Sequence, residues 1–170
     1  MIEKDFFKKP APSLAPCLLG CYLCRRLESG EVLRFMITET EAYFGESDTA
    51  CHAHRGMTPR NALLYGECGV AYVYLCYGIH SLMNVISGET GHPEGVLIRG
   101  VEGFSGPGKL TKRMGIDRSC NGLALTKENG LWLERGDREV IYETAARVGI
   151  DYADECDRIL PWRFIMKGYK

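Results

Sequence analysis

The sequence predicts an α+β fold: a curved, mainly antiparallel sheet with a protruding β-hairpin and peripheral helices. Three observations predict it. Runs rich in β-branched and aromatic residues come in adjacent pairs joined by short turn signals. The helical stretches are few and stand apart from those pairs rather than alternating with single strands. A chain of 170 residues that is 45% hydrophobic suits a single domain, spanning 1–170, with a sizeable core.

Taken in order, residues 10–16 (PAPSLAP) read as a short helix after an extended entry, with prolines that pre-set its first turn. Residues 21–27 and 32–43 read as two strands, and Glu28-Ser-Gly-Glu31 between them as the turn of a hairpin. Residues 44–69 are mostly loop, with a short helix at 61–65. Residues 72–76 and 79–86 form a second pair, and Gly78 can take the positive φ of a tight turn. A further strand is expected at 96–101. Residues 106–115 begin as a glycine–proline loop and become a basic helix. Residues 131–142 add strands, and the terminal PWRFIMKG reads as one more. There is no internal repeat and no low-complexity segment.

Composition narrows the function. The N-terminus has no apolar run long enough for a signal peptide, and apolar runs elsewhere are short, so no membrane span is expected. An intracellular chain follows, with its eight cysteines reduced. Cys17, Cys21 and Cys24 have a spacing that can hold an iron–sulfur cluster. Their context favours small buried hydrophobes instead: Cys17 precedes a glycine-closed helix end, and Cys21 and Cys24, three apart on a strand, face opposite ways. A net charge of −1 argues weakly against a nucleic-acid partner, unless the acidic residues that crowd 134–157 lie away from a basic face.

The chemistry concentrates in ITETEAYFGESDTACHAH, residues 37–54. On a regular strand Phe35, Ile37, Glu39, Glu41 and Tyr43 share one face, apolar at its start and acidic and aromatic at its end. A carboxylate there fits a general base; two solvent-facing glutamates fit the same periodicity. His52, His54 and a glutamate can also be read as a zinc site of a metal-dependent hydrolase. Histidines two apart on a loop, however, lack the helical spacing that puts both imidazoles on one face.

ETEAY, His52, Thr58-Pro-Arg-Asn61, YVYLCYGIHSLMNV, VLIRG and GPGKL occur in this order, and RVGI and PWRF follow. Together they resemble the alkyladenine (3-methylpurine) DNA glycosylases, over nearly the whole chain. Each motif is weak alone; the ordered set is specific. The loop bearing His54 and Met57, and the stretch from Leu63 to Gly69, depart from the commonest family wording.

The resemblance implies a monofunctional glycosylase. It would flip an alkylated purine out of duplex DNA, hydrolyse its N-glycosidic bond with an activated water, and leave an abasic site. Glu41 matches the catalytic base and Arg99 the residue that helps position glutamate and water. Tyr43, His52, Tyr74 and Asn84 match the base pocket, with Asn84 disfavouring normal guanine. Tyr77 matches the intercalating residue. Arg60, Lys109, Lys112 and Arg113 are expected at the DNA backbone. The resemblance implies no cofactor and no metal, and double-stranded DNA carrying a damaged purine as the partner of a monomer. A lesion-binding protein without catalysis is the other alternative; the presence of both Glu41 and Arg99 argues against it.

Overall fold

The computed structural model describes residues 1–137 and 139–169. A 3₁₀ turn at Lys4–Lys8 leads into helix α1 (Ala11–Leu18). Strands β1 (Tyr22–Arg26) and β2 (Val32–Phe44) follow, then a 3₁₀ turn at Ala62–Tyr65. Next come β3 (Ala71–Cys76), β4 (His80–Ile86), β5 (Glu94–Val101) and the short β6 (Phe104–Ser105). Helix α2 (Pro107–Met114) and a 3₁₀ turn at Arg118–Cys120 precede β7 (Leu131–Glu134), β8 (Tyr142–Ala145), helix α3 (Glu155–Arg158) and β9 (Arg163–Met166). All strand pairs are antiparallel, in the order β3-β4-β5-β2-β1-β7, with β6 on β5, β9 on β2 and β8 on β9. The sheet curls into a half-barrel with helices packed around it, so the fold is α+β as the sequence predicts.

The hairpin of β1 and β2 closes at the expected turn, where Leu27 N–H donates to the Glu31 carbonyl. Strand β5 starts two residues before the expected 96–101 segment, at Glu94. The expected strands over 131–142 shrink to Leu131–Glu134, with β8 beginning at Tyr142; position 138 lies outside the described residues. Helix α3 and strand β6 have no counterpart in the sequence reading.

One expectation fails for an instructive reason. Phe35 and Ile37 do not share a face with Glu41. Both pack into the main core, as do Thr40 and Ala42 further along the same strand. Between them the β2/β5 register skips Thr38 on one strand and Arg99 on the other. An inserted residue reverses the alternation of side chains beyond it, so regular periodicity cannot cross this bulge. The bulge also marks where β2 changes neighbours: 32–36 pair with β1, and 39–41 with β9.

Helix α1 covers the core face. Ala11, Leu14, Ala15 and Leu18 are fully buried, and the buried Thr40 hydroxyl donates to the Ala15 carbonyl at 2.9 Å. The Thr40 hydroxyl is thereby satisfied, which a buried polar group requires. Carboxylate oxygen Oε2 of Glu94 accepts the Ala11 N–H at the start of α1. Glu41, Tyr43 and Asn84 stand towards the other side of the sheet, where a cleft opens.

Candidate active site

The cleft has a volume of about 830 Å³. Strand β2 supplies Tyr43, β3 Tyr72 and Tyr74, β4 Asn84, β5 Leu97 and Arg99, and the loop after β2 His52 and Arg60. Lys109 and Lys112 of α2 form another wall, and Val148, Gly149, Ile150 and Tyr152 a third. Helix α2 can sit close because Gly108 has no side chain: a Cβ there would meet the His80 ring at 3.1 Å.

Glu41 does not itself line the cleft. Its side chain is 0% exposed, directly behind the floor, and three of the residues that hold it do line the floor. Oε1 accepts the Val148 N–H at 2.8 Å and lies 3.6 Å from Arg99 Nε. Oε2 accepts the Tyr43 hydroxyl at 2.9 Å. Burial pushes the Glu41 pKa up; Arg99, the Val148 N–H and the Tyr43 hydroxyl oppose that rise. The result is a basic carboxylate with three donors aimed at it. Arg99 Nε also lies 3.1 Å from Glu39 Oε1, and Arg163 Nε of β9 lies 3.6 Å from the same oxygen. Glu39 therefore has a partner role that periodicity did not assign to it: it holds the same Arg99 Nε that faces Glu41.

The aromatic residues pack on each other. The Tyr72 and Tyr74 ring centroids are 5.4 Å apart, and His52 meets Tyr74 edge-on at 4.5 Å. His52 Nδ1 lies 3.0 Å from the Tyr72 hydroxyl, and desolvation lowers its pKa, so the imidazole is held neutral. Burial raises the pKa of Tyr43 and of Tyr74, keeping both phenols protonated. Asn84 donates from Nδ2 to the Tyr72 carbonyl at 3.2 Å, which fixes the side of the amide that faces the cleft. The Arg60 guanidinium lies 5.8 Å from the Tyr74 ring centre.

Tyr77 stands at the hairpin tip, 90% exposed, and its ring reaches the cleft edge. It is the one non-glycine residue with positive φ among the described residues (51°), followed by Gly78 at 71°. Consecutive positive φ values make the tight turn that the twist of a hairpin favours.

The structure thus gathers Tyr43, His52, Tyr74, Tyr77, Asn84, Arg99, Arg60, Lys109 and Lys112 around one cleft, with Glu41 behind it. Arg113 stands apart, its guanidinium 5.7 Å from the Phe35 ring centre on the flank of α2. From the 134–157 segment Val148, Gly149, Ile150 and Tyr152 line the cleft, and none of its acidic residues is among the lining. His52 and His54 diverge: His54 Nδ1 bonds the Glu46 carbonyl at an exposed position. Among the described residues no three His, Cys, Asp or Glu side chains group as metal ligands. Of the cysteine trio, Cys17 is exposed, Cys21 and Cys24 are buried, and the Cys21 thiol points back to the Cys17 carbonyl.

Sequence reasoning missed three groups. They are the Val148 N–H, and the buried pair of Asp48 and Arg147, whose guanidinium and carboxylate meet at 2.6 and 2.9 Å. Partners about a hundred positions apart leave no local pattern. The aspartate's own turn, where Ala50 N–H bonds Asp48 Oδ1, is readable nearby, and Arg147 and Val148 fall in the RVGI stretch, which received no role.

The curled antiparallel half-barrel thus carries an aromatic, cation-rimmed cleft over a buried glutamate. A sequence profile described as Methylpurine-DNA glycosylase (MPG) matches residues 5–105 and 102–170. The chain is 40% identical to a protein of Methanocella arvoryzae over 99% of its own length and 93% of that protein. It is 39% identical to one of Psychrobacter cryohalolentis (91% and 87% covered) and 38% identical to one of Borreliella burgdorferi (99% and 97%). All three carry the name "Putative 3-methyladenine DNA glycosylase". The chain belongs to the methylpurine-DNA glycosylase family, a family of hydrolases that cleave N-glycosyl bonds in DNA.

Proposed function

We propose that the protein excises alkylated purines of the 3-methyladenine and 7-methylguanine class from duplex DNA. The nucleotide is flipped into the cleft, because its glycosidic bond is out of reach inside the stack. Tyr77 enters the vacated step, where a bulky ring on a rigid hairpin offsets lost stacking. Lys109, Lys112 and Arg60 attract the phosphate backbone, and Arg113 joins them only by leaving Phe35. No second subunit is required, so the protein acts as a monomer wherever DNA is.

Tyr43, Tyr74 and His52 receive the base. Alkylation at a ring nitrogen makes the purine cationic, and each electron-rich ring face attracts it by about 0.5–2 kcal/mol. Asn84, its amide fixed on the Tyr72 carbonyl, opposes the 2-amino group of guanine. Glu41 takes a proton from water as the oxygen attacks C1′ of the sugar. The glycosidic electron pair leaves with the base, which departs neutral and needs no acid. Positive charge gathers on the sugar in the transition state, and the carboxylate stabilises it.

One observation carries this reading: a buried carboxylate, held by three lining groups, lies directly behind an aromatic cleft. Its test is chromatography of bases freed from duplexes carrying a single lesion, with chelator present. Wild type should release the alkylated base and Glu41→Gln should not. Release that needs metal, or that survives Glu41→Gln, would overturn it.

A further inference from the structure

We propose that the buried Asp48–Arg147 pair is a positioning device for the catalytic floor. It clamps residues 146–150 against β2 so that the Val148 N–H and the Tyr43 ring are both held on the Glu41 carboxylate. The inference rests on the reading of Glu41 as general base.

The pair is unusually well bound. Asp48 Oδ2 accepts Arg147 Nη1 at 2.6 Å and the Phe44 N–H at 3.0 Å. Its Oδ1 accepts Arg147 Nη2 at 2.9 Å and the Ala50 N–H at 3.0 Å. Arg147 donates further to the carbonyls of Ala42 at 2.9 Å and Asp157 at 3.2 Å. Its planar face lies 4.9 Å from the Tyr43 ring centre and 5.1 Å from that of Trp162. One guanidinium therefore joins β2, the loop after it, and α3. Asp157 extends the clamp, since its side chain accepts both the N–H and the hydroxyl of Thr49.

Stability alone does not call for a buried ion pair, because well-packed apolar residues often do as well. What the pair supplies is register. Arg147 is covalently next to Val148, whose N–H reaches Glu41 Oε1 at 2.8 Å. It also backs Tyr43, whose hydroxyl reaches Oε2 at 2.9 Å. Two of the three donors on the base thus depend on one anchored side chain. A lysine keeps the charge but loses the planar fork, so it cannot hold four acceptors in one geometry.

The test is the pH profile of single-turnover base release with chelator, alongside affinity for a duplex carrying a tetrahydrofuran abasic site. The other groups facing Glu41 stay in place throughout: Arg99 from β5, Glu39 from its own strand, Arg163 from β9, Tyr74 from β3 and Tyr152 from the third wall. Arg147→Lys removes the fork. Asp48→Asn opens the pair from its other side and leaves Arg147 and the Val148 N–H in the chain, so it decides the matter if Arg147→Lys does not fold. In either variant the acid limb, where Glu41 protonates, should move up by about one pH unit, because a donor that favours the carboxylate is displaced. The maximal rate should fall about ten-fold, and abasic-site affinity should stay within about three-fold. A limb that stays at its wild-type position in the folded variants would reduce the pair to a structural brace and overturn the inference. Wild type that releases no base, or Glu41→Gln that still does, would instead overturn the assignment of Glu41.

Discussion

The floor of the cleft and the tip of its hairpin solve opposite problems with neighbouring strands. Glu41 on the floor is fully buried, and every contact around it is paired. Tyr77 at the tip is 90% exposed and sits in a left-handed conformation that costs a non-glycine residue about 1–2 kcal/mol. The contrast shows where the molecule places its constraints. Glu41, the proposed base, is over-determined, whereas Tyr77, the proposed wedge, is left free and strained.

The strongest way to break this comparison is to remove the charge on the floor. Glu41→Gln should lower single-turnover base release by about 10²–10⁴-fold, the usual worth of a general base. The same change should stabilise the protein. Burial raises the Glu41 pKa in the folded state. A carboxyl with a raised folded pKa favours folding below the ordinary glutamate pKa and loses that contribution as pH rises through its folded value. At pH 8 wild type has lost it, whereas glutamine, neutral at every pH, keeps it. Glu41→Gln should therefore be more stable at pH 8 by about 0.5–2 kcal/mol, with the gap closing towards pH 4. Thermal melts at the two pH values check both the sign and the window.

The tip should respond in the same sense but more weakly, and for a backbone reason rather than a charge. Tyr77→Gly relieves the positive φ, so the melting temperature should hold or rise slightly, since glycine accepts that conformation freely. Excision from duplex DNA should nevertheless fall, with about 1–3 kcal/mol of stacking forfeited. The loss should shrink when the lesion sits opposite a mismatch, where less stacking must be broken. An equal loss on both substrates would mean that Tyr77 does not fill the step.

These two regions also differ in how far the sequence reveals them. The tip is local: Tyr77-Gly78 between two β-rich runs specifies a tight turn, and the structure forms one there. The hairpin of β1 and β2 is legible for the same reason. The floor is not local. The bulge at Thr38 and Arg99 defeats strand periodicity, so Ile37 falls in the core while Glu41 falls behind the cleft. The residues that complete the floor, Val148 and the Asp48–Arg147 pair, come from positions about a hundred residues apart. Motif resemblance brought in Glu41, Asn84 and two groups that hold Glu41, Tyr43 and Arg99, and it included RVGI, but it gave Arg147 and Val148 no role.

Between floor and tip, Asn84 sharpens the comparison by testing selection rather than rate. Its amide is held by the Tyr72 carbonyl, so its cleft-facing side is fixed. Asn84→Ser should leave release of 3-methyladenine within a few-fold of wild type. Release of unmodified guanine should become about 10–100-fold less disfavoured, because the opposing group is shortened. Competition between the two bases in one duplex pool measures the ratio directly.

The smallest effect belongs to the cationic rim, where α2 sets up an internal control. Lys112 lines the cleft, whereas the Arg113 guanidinium lies against Phe35 on the helix flank. Each phosphate neutralised releases counterions, so each lost contact reduces the slope of log affinity against log salt by about 0.9. Lys112→Gln should flatten that slope by close to one such step and weaken binding to all duplexes alike, lesion-bearing or not. Arg113→Gln should change it by less than half as much if the side chain stays on Phe35. A full step from Arg113 would show that it leaves the ring and reaches phosphate when DNA arrives, which would extend the free, unconstrained character of the tip to the far side of α2.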